Sequence, residues 1–200
     1  LGPEMEVIFC DGDSSDGTRE EVLRVRDEGP QRPFAIGVLE QRANGRKDAL
    51  FTALRQAKHD VLMILDADAS VPPEDLPKFH LAIAEGKAEL VSGTRRVYPT
   101  GDGVPRLLGL LWHQLAGIVL SWILGQRIKD TLCGTKVLFR KDYDRIAAGR
   151  HYFGEFDPFG DFDLIFGAAK LDLKIVEIPI RYRQRTYGTT QISRFRHGWL

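Results

Sequence analysis

Ahead of Gly86 the chain repeats one pattern three times, a short apolar or β-branched run followed by a longer amphipathic stretch. The pairs are Glu6 to Cys10 with Thr18 to Glu28, Phe34 to Leu39 with Lys47 to Lys58, and Val61 to Leu65 with Pro73 to Glu85. Alternation of this kind predicts an α/β fold, a mostly parallel Rossmann-like sheet with helices on both faces, because parallel strands need a crossover of about a dozen residues between them. After Val91 the pattern loosens. A strand is expected at Lys136 to Phe139, a helix at Asp161 to Lys170, and an extended run from Lys174 to Tyr182 in which Pro179 suits an edge or bulge. Two hundred residues, 43% of them hydrophobic, suffice for one such domain with its own core.

Ligands of open α/β sheets bind beyond the carboxyl ends of the strands, and two of those ends are rich in aspartate. Asp11 closes the first apolar run and opens Asp11-Gly12-Asp13-Ser14-Ser15-Asp16-Gly17-Thr18. At a strand end its carboxylate can accept hydrogen bonds from a nucleobase or ribose, whereas Asp16 and Thr18 serve equally well as a helix cap. The third apolar run leads into Asp66-Ala67-Asp68. In extended chain, residues i and i+2 point the same way, so Asp66 and Asp68 are expected to present two carboxylates side by side. Two such charges call for a hard cation, Mg²⁺ or Mn²⁺, whose remaining positions go to water and substrate phosphates. The helix start at Pro72-Pro73-Glu74-Asp75 relieves both aspartates of capping duty.

Taken in order, these segments resemble the family 2 glycosyltransferases of the GT-A fold. Asp11 to Thr18 is similar to the family's nucleotide-binding turn, with Asp13 where glycine is usual. Lys47-Asp48-Ala49-Leu50 falls beside the diphosphate, and Asp66-Ala67-Asp68 matches the metal-binding Asp-x-Asp. Ser92-Gly93-Thr94-Arg95-Arg96, Asp130 to Lys136, Glu177-Ile178-Pro179-Ile180 and Arg185 to Thr190 follow in the family's sequence, with Thr135 in place of an aromatic and Gln191 in place of a lysine. Within the family the likeness is to dolichyl-phosphate and polyprenyl-phosphate sugar synthases. The resemblance implies a metal-dependent enzyme that moves a hexose from a UDP- or GDP-sugar to a polyprenyl or dolichyl phosphate. Asp11, Asp13, Lys47 and Asp66 would then bind the nucleotide-sugar, Asp66 and Asp68 the metal, and Arg95, Lys136 and Arg185 the acceptor or its phosphate. Asp68 would be catalytic through the metal. Asp161, at a helix start where hydroxyl-using relatives keep a catalytic aspartate, is the expected base if the acceptor is a hydroxyl. The family also begins one strand earlier, so a single domain, residues 1–200, truncated at its amino end and lacking the first strand, is expected. Residues 1–105 form its nucleotide-sugar and metal half and residues 106–200 its acceptor half.

Leu107 to Leu124 carries no charge. Gly109, His113, Gly117 and Ser121 recur every fourth residue as a small and polar stripe, while Leu108, Leu111, Leu115, Ile118 and Trp122 form an apolar one. A one-sided helix lying on a bilayer, or packed on the domain, is expected in preference to a span, since a span would part motifs that must meet at one site. Arg181, Arg183, Arg185, Arg194 and Arg196 follow with no acidic residue after Glu177, a density that suits anionic head groups. Acidic and basic residues number 28 each, so no net field draws nucleic acid. Cys10 and Cys133 have neither zinc nor redox spacing, which suits a reducing compartment and a cytoplasmic protein attached peripherally or anchored at the membrane. Two other readings stand beside this one: transfer to a saccharide or metabolite hydroxyl with Asp161 as base, and a non-catalytic nucleotide-sugar binding module. A dehydrogenase is disfavoured, because no Gly-x-Gly-x-x-Gly follows any expected strand.

Overall fold

The structure, a computed structural model, describes residues 4–41, 45–68, 70–95, 117–131, 133–150, 160–181 and 183. Two compact units are present: Leu1–Leu62 with Pro158–Gly160, and Met63–Asp157 with Asp161–Leu200. The division falls inside a strand at 62/63, well before the expected functional boundary at 105/106.

In the first unit, β1 (Glu6–Asp11) pairs in parallel with β2 (Ala35–Glu40), Glu6 opposite Ala35 through to Asp11 opposite Glu40. The intervening crossover is α1 (Thr18–Glu28), which buries no side chain completely and carries an exposed Glu21–Arg24 pair one turn apart. By contrast α2 (Arg46–Gln56) buries Leu50, Phe51 and Leu54 and packs on β1 and β2. Those positions recur at helical spacing, which is why this stretch folds as a helix against the sheet. Gly160 belongs to this unit because a Cβ there would come within 3.0 Å of Leu50 and 3.2 Å of Phe51, and its φ of +79° favours glycine in any case.

The second unit is built on a four-stranded sheet in the order β3-β5-β4-β6. Its strands are β3 (Val61–Ile64), β4 (Leu90–Thr94), β5 (Lys136–Phe139) and β6 (Ile175–Pro179). β4 runs parallel to β6 and antiparallel to β5, so the expected parallel character holds for one of these two pairings and not the other. All five residues of β4 are buried. A strand buried on both faces has no polar alternation, which explains why Leu90 to Thr94 gives so faint a signal in the sequence. A single 3-10 turn at Pro73–Asp75 precedes α3 (Leu76–Ala84), which packs Phe79, Ala82 and Ile83 onto β4 and β5. Residues 117–124 are helical and form α4. α5 (Arg140–Ala148) packs on α6 (Asp161–Lys170), where a Cβ at Gly167 would lie 2.5 Å from Ile146, so only glycine permits this approach. No long apolar stripe announces α5; its buried residues are Asp142, Tyr143 and Ile146. Pro179 ends β6, an edge strand, where its missing N–H costs no ladder bond.

Candidate functional site

β3 ends at Ile64, before either aspartate, whereas the extended-chain argument requires extended backbone through Asp68. Asp66 therefore lies beyond the strand and Asp68 in a turn, so strand alternation is not what orients the two carboxylates. Both are partly exposed. Asp68 Oδ1 accepts the Ser70 N–H at 3.0 Å, which fixes the turn. The carbonyl of Ser70 in turn accepts the Arg183 N–H at 2.8 Å, and Asp75 Oδ2 accepts the Arg181 N–H at 3.1 Å. Lys78 bonds Pro179 O and pairs with Asp75. Burial alone would raise the Asp75 carboxyl, but the Arg181 N–H and the Lys78 ammonium hold it below the usual range. The chain leaving β6 is thus laced to the loop that follows the aspartate pair, and its basic stretch begins there.

Among the described residues no group of three or more His, Cys, Asp or Glu converges on one point. Two partly exposed carboxylates suit a hard cation that takes one or two carboxylates and fills its shell with water and diphosphate. They do not suit a closed zinc site.

In the first unit, Asp11 sits at the end of β1 as expected. Its Oδ2 accepts the Ser14 N–H at 3.2 Å, its carbonyl accepts the Gln41 N–H, and the bonds from Ser14 and the nearby Arg19 charge lower its pKa. Asp13, where the family prefers glycine, has φ of +63°, a left-handed conformation that aspartate tolerates better than most side chains. Gly17 holds the cap position of α1, and Asp16 Oδ1 accepts both the Thr18 N–H at 3.1 Å and its hydroxyl at 2.6 Å. Of the two roles open to Asp16, this is the structural one. Lys47 lies in the first turn of α2 after Gly45, whose φ is +106°. The neighbouring Asp48 lies close enough to β1 to help burial raise the Cys10 thiol.

Three expected phosphate or acid-base residues are held differently from expectation. Lys136, expected to grip a phosphate, has a fully buried side chain and donates to Asp161 Oδ1 at 2.7 Å and to the Cys133 carbonyl. A fully buried ammonium is placed to neutralise its buried neighbour. Asp161, at the head of α6, is 4% exposed and is the other half of that pair. Arg95, just past β4, forms a two-pronged pair with Asp130, Nε to Oδ2 and Nη2 to Oδ1 both at 2.8 Å, and its backbone N–H also reaches Oδ2. Arg185, expected to bind the acceptor, lies outside the described residues, as do residues 107–116 of the charge-free segment.

Two residues of this region carry structural weight that motif matching alone did not assign. Asp130 opens the Asp130 to Lys136 segment and anchors Arg95. Glu177 Oε1 accepts the N–H groups of both Lys129 and Asp130 at 2.8 Å, so β6 positions the loop that positions Arg95. Burial raises the Glu177 carboxyl, partly offset by those bonds. A carboxylate early in the Glu-Ile-Pro run, on a strand otherwise apolar, is the one sequence signal that could have found it.

The sequence profile of glycosyl transferase family 2 matches residues 1–146. The undecaprenyl-phosphate mannosyltransferase of Micrococcus luteus is 28% identical over 203 residues, covering 96% of this chain and 77% of that protein. An undecaprenyl-phosphate 4-deoxy-4-formamido-L-arabinose transferase of Edwardsiella ictaluri is 34% identical over 193 residues, 96% of this chain but 54% of its own length. The chain thus spans about half the length of the arabinose transferases it matches. Among solved structures, glucosyl-3-phosphoglycerate synthase from Mycobacterium tuberculosis in complex with Mn²⁺, UDP and glucosyl-3-phosphoglycerate superposes with a TM-score of 0.60 at 18% identity, covering 90% of this chain and 61% of that one. S. aureus TarS in complex with UDP-GlcNAc gives 0.58 at 18%, covering 94% and 51%. These likenesses place the fold in the GT-A class. With its aspartate-rich strand ends, its GT-A fold and a profile match over most of its length, the chain belongs to the family 2 glycosyltransferases.

Proposed function

We propose that the chain is the catalytic part of a glycosyltransferase that passes a hexose from a UDP- or GDP-sugar to a polyprenyl phosphate at a membrane surface. The observation that carries this reading is the lacing of the Asp66-Ala67-Asp68 loop to the arginine-bearing segment after β6. The Asp68 bond to the Ser70 N–H and the Arg183 N–H bond to the Ser70 carbonyl support a reading in which the aspartates meet a cation and the basic segment that begins beside them meets phosphate. The names of the two bacterial relatives, both undecaprenyl-phosphate transferases, support the acceptor class.

Transfer to a phosphate is a displacement at the anomeric carbon. An acceptor phosphate oxygen forms the new bond, the sugar's bond to the diphosphate breaks, and the electron pair leaves with the nucleoside diphosphate. No proton has to be removed from the acceptor, so no general base is required. A divalent cation, when bound by Asp66 and Asp68, supplies neutralising charge for the departing diphosphate. Asp11, with Asp13 shaping the turn, would receive the nucleoside, Lys47 would lie towards the diphosphate, and Arg183 and Arg185 would hold phosphate by their planar forks. The buried Lys136–Asp161 pair favours this acceptor over a hydroxyl, because a base must reach its substrate.

Incubation of the full chain with Mg²⁺ or Mn²⁺, UDP- and GDP-sugars and undecaprenyl phosphate should give glycosyl-phospholipid, lost on chelation. Asp68→Ala should lower kcat about 10²–10³-fold, the scale of one lost electrostatic stabiliser. Failure of every donor to bind or react would sink the proposal. Turnover on saccharide hydroxyls that Asp161→Asn abolishes would transfer the reading to the hydroxyl class, and donor binding without any turnover would leave a binding module.

A further inference from the structure

The chain leaving β6 meets different partners on its two sides. Towards the sheet, the Ile180 N–H donates to Thr94 O at 3.0 Å, continuing the ladder with β4, and the Ile180 side chain is fully buried. On the open edge of the sheet the partners come from the stretch that follows the aspartate pair. Pro179 O accepts the Lys78 ammonium, the Arg181 N–H donates to Asp75 Oδ2 at 3.1 Å, and the Arg183 N–H donates to Ser70 O at 2.8 Å. Three alternate residues thus commit a backbone group to this one stretch. The spacing is that of a strand pairing, but two of the three partners are charged side chains.

Covering an edge does not in itself call for a carboxylate and an ammonium. What these two add is a clamp that is internally neutral. Asp75 Oδ1 takes the Lys78 ammonium at 3.1 Å while Oδ2 faces the Arg181 backbone. A lone carboxylate would offset the charge of the nearby guanidiniums, whereas one already matched by Lys78 fixes the backbone and leaves their field in place. Arg181 and Arg183 are exposed residues, and no acid follows Glu177 in the sequence. At its other end the clamp reaches Ser70, whose N–H is held by Asp68 Oδ1, so one residue links the aspartate turn to the basic chain. Holding the arginine-bearing backbone before a phosphate arrives spares the ordering cost that a loose basic segment takes out of binding.

We infer that Asp75 and Lys78 are positioning residues for the phosphate acceptor, holding the chain that carries Arg181 and Arg183 beside the Asp68 turn. This role rests on the reading of a phosphate acceptor, and adds which side chains set its affinity without touching it. The test uses the full chain with a short, water-soluble prenyl phosphate as acceptor, a nucleotide-sugar as donor, and UDP or GDP as the probe of the donor site. Asp75→Ala should raise KM for the prenyl phosphate about tenfold and leave kcat and the donor KM within about twofold. A variant that had only lost stability would lower the active fraction, and with it the apparent kcat, with both KM values unchanged. Asp75→Asn should restore most of the affinity, because its amide oxygen still accepts the Arg181 N–H. Lys78→Met keeps the stem and should raise the acceptor KM about three- to fivefold, which serves also if Asp75→Ala does not fold. Calorimetric titration with prenyl phosphate should show the same losses without turnover, with UDP or GDP binding unchanged. Unchanged acceptor KM in these variants, with transfer intact, overturns the positioning role and leaves the proposed function standing. A rise in the donor KM instead overturns it too and assigns the segment to the diphosphate. Prenyl phosphate binding that weakens in Asp75→Ala, with no transfer from any donor, upholds the role and removes the proposed activity. A parent that binds no prenyl phosphate overturns both.

Discussion

Lys136 and Asp161 lie 25 residues apart in sequence and 2.7 Å apart in space. Each is nearly or fully buried, so their pairing is strongly conditional: either charge alone in that interior is costly. Lys136→Ala is expected to destabilise the fold by about 3–5 kcal/mol, because it takes the neutralising ammonium away from a buried carboxylate, while Lys136→Met/Asp161→Leu should recover most of the loss. Urea unfolding of the parent, single and double variants measures this. If Lys136→Ala costs no more than a surface substitution, the pair is not the neutralising device its burial implies. The same geometry explains why Lys136 looks like a phosphate ligand in the sequence: a lysine after a glycine-bearing turn is ambiguous until its solvent access is known.

Among the elements, β4 concentrates the constraints. It is flanked on both sides, all its residues are buried, and its ladder continues past the strand through Ile180 N–H to Thr94 O. A Cβ at Gly93 would stand 2.6 Å from Cys133 Sγ, with Ile180 at an ordinary 3.5 Å. Gly93→Ala is therefore expected to cost about 1–3 kcal/mol by overpacking, and Cys133→Ala in the same chain should remove most of that cost by deleting the sulfur. A thermal-melt double-mutant cycle reads the coupling; strictly additive effects would mean that another contact sets the limit. Cys133 thus has a steric reason to be where it is. Burial raises its thiol, which also makes it a poor nucleophile at neutral pH.

At the scale of the whole molecule, acids and bases balance, and stability against pH depends on which carboxylates burial or bonding has displaced. Asp11 and Asp16 are lowered by their bonds, so they favour the fold above the ordinary aspartate range and less so in acid. Glu177 acts in the opposite sense. Its raised value means the folded state binds that proton more tightly, so its contribution is full below the ordinary 4.5 and fades as pH rises through the folded value. Glu177→Gln stays neutral and still accepts both backbone N–H groups through its amide oxygen. Its melting temperature relative to the parent should therefore climb from acid towards neutrality, and a flat or falling difference would contradict the assignment. Strand-helix alternation, the aspartates at strand ends and the order of the motifs were all legible in the sequence, because periodicity and strand-terminal chemistry are local. Thr18–Glu28, Lys136–Phe139 and Asp161–Lys170 fold over the spans their residues predict. Tertiary structure alone decided that β5 runs antiparallel to β4, that Asp68 lies in a turn, that Arg95 and Lys136 are occupied by Asp130 and Asp161, and that α4 turns its apolar face outward. Each of these depends on which distant residue arrives opposite, and burial, not residue type, separates a charge that meets a ligand from one that holds the fold.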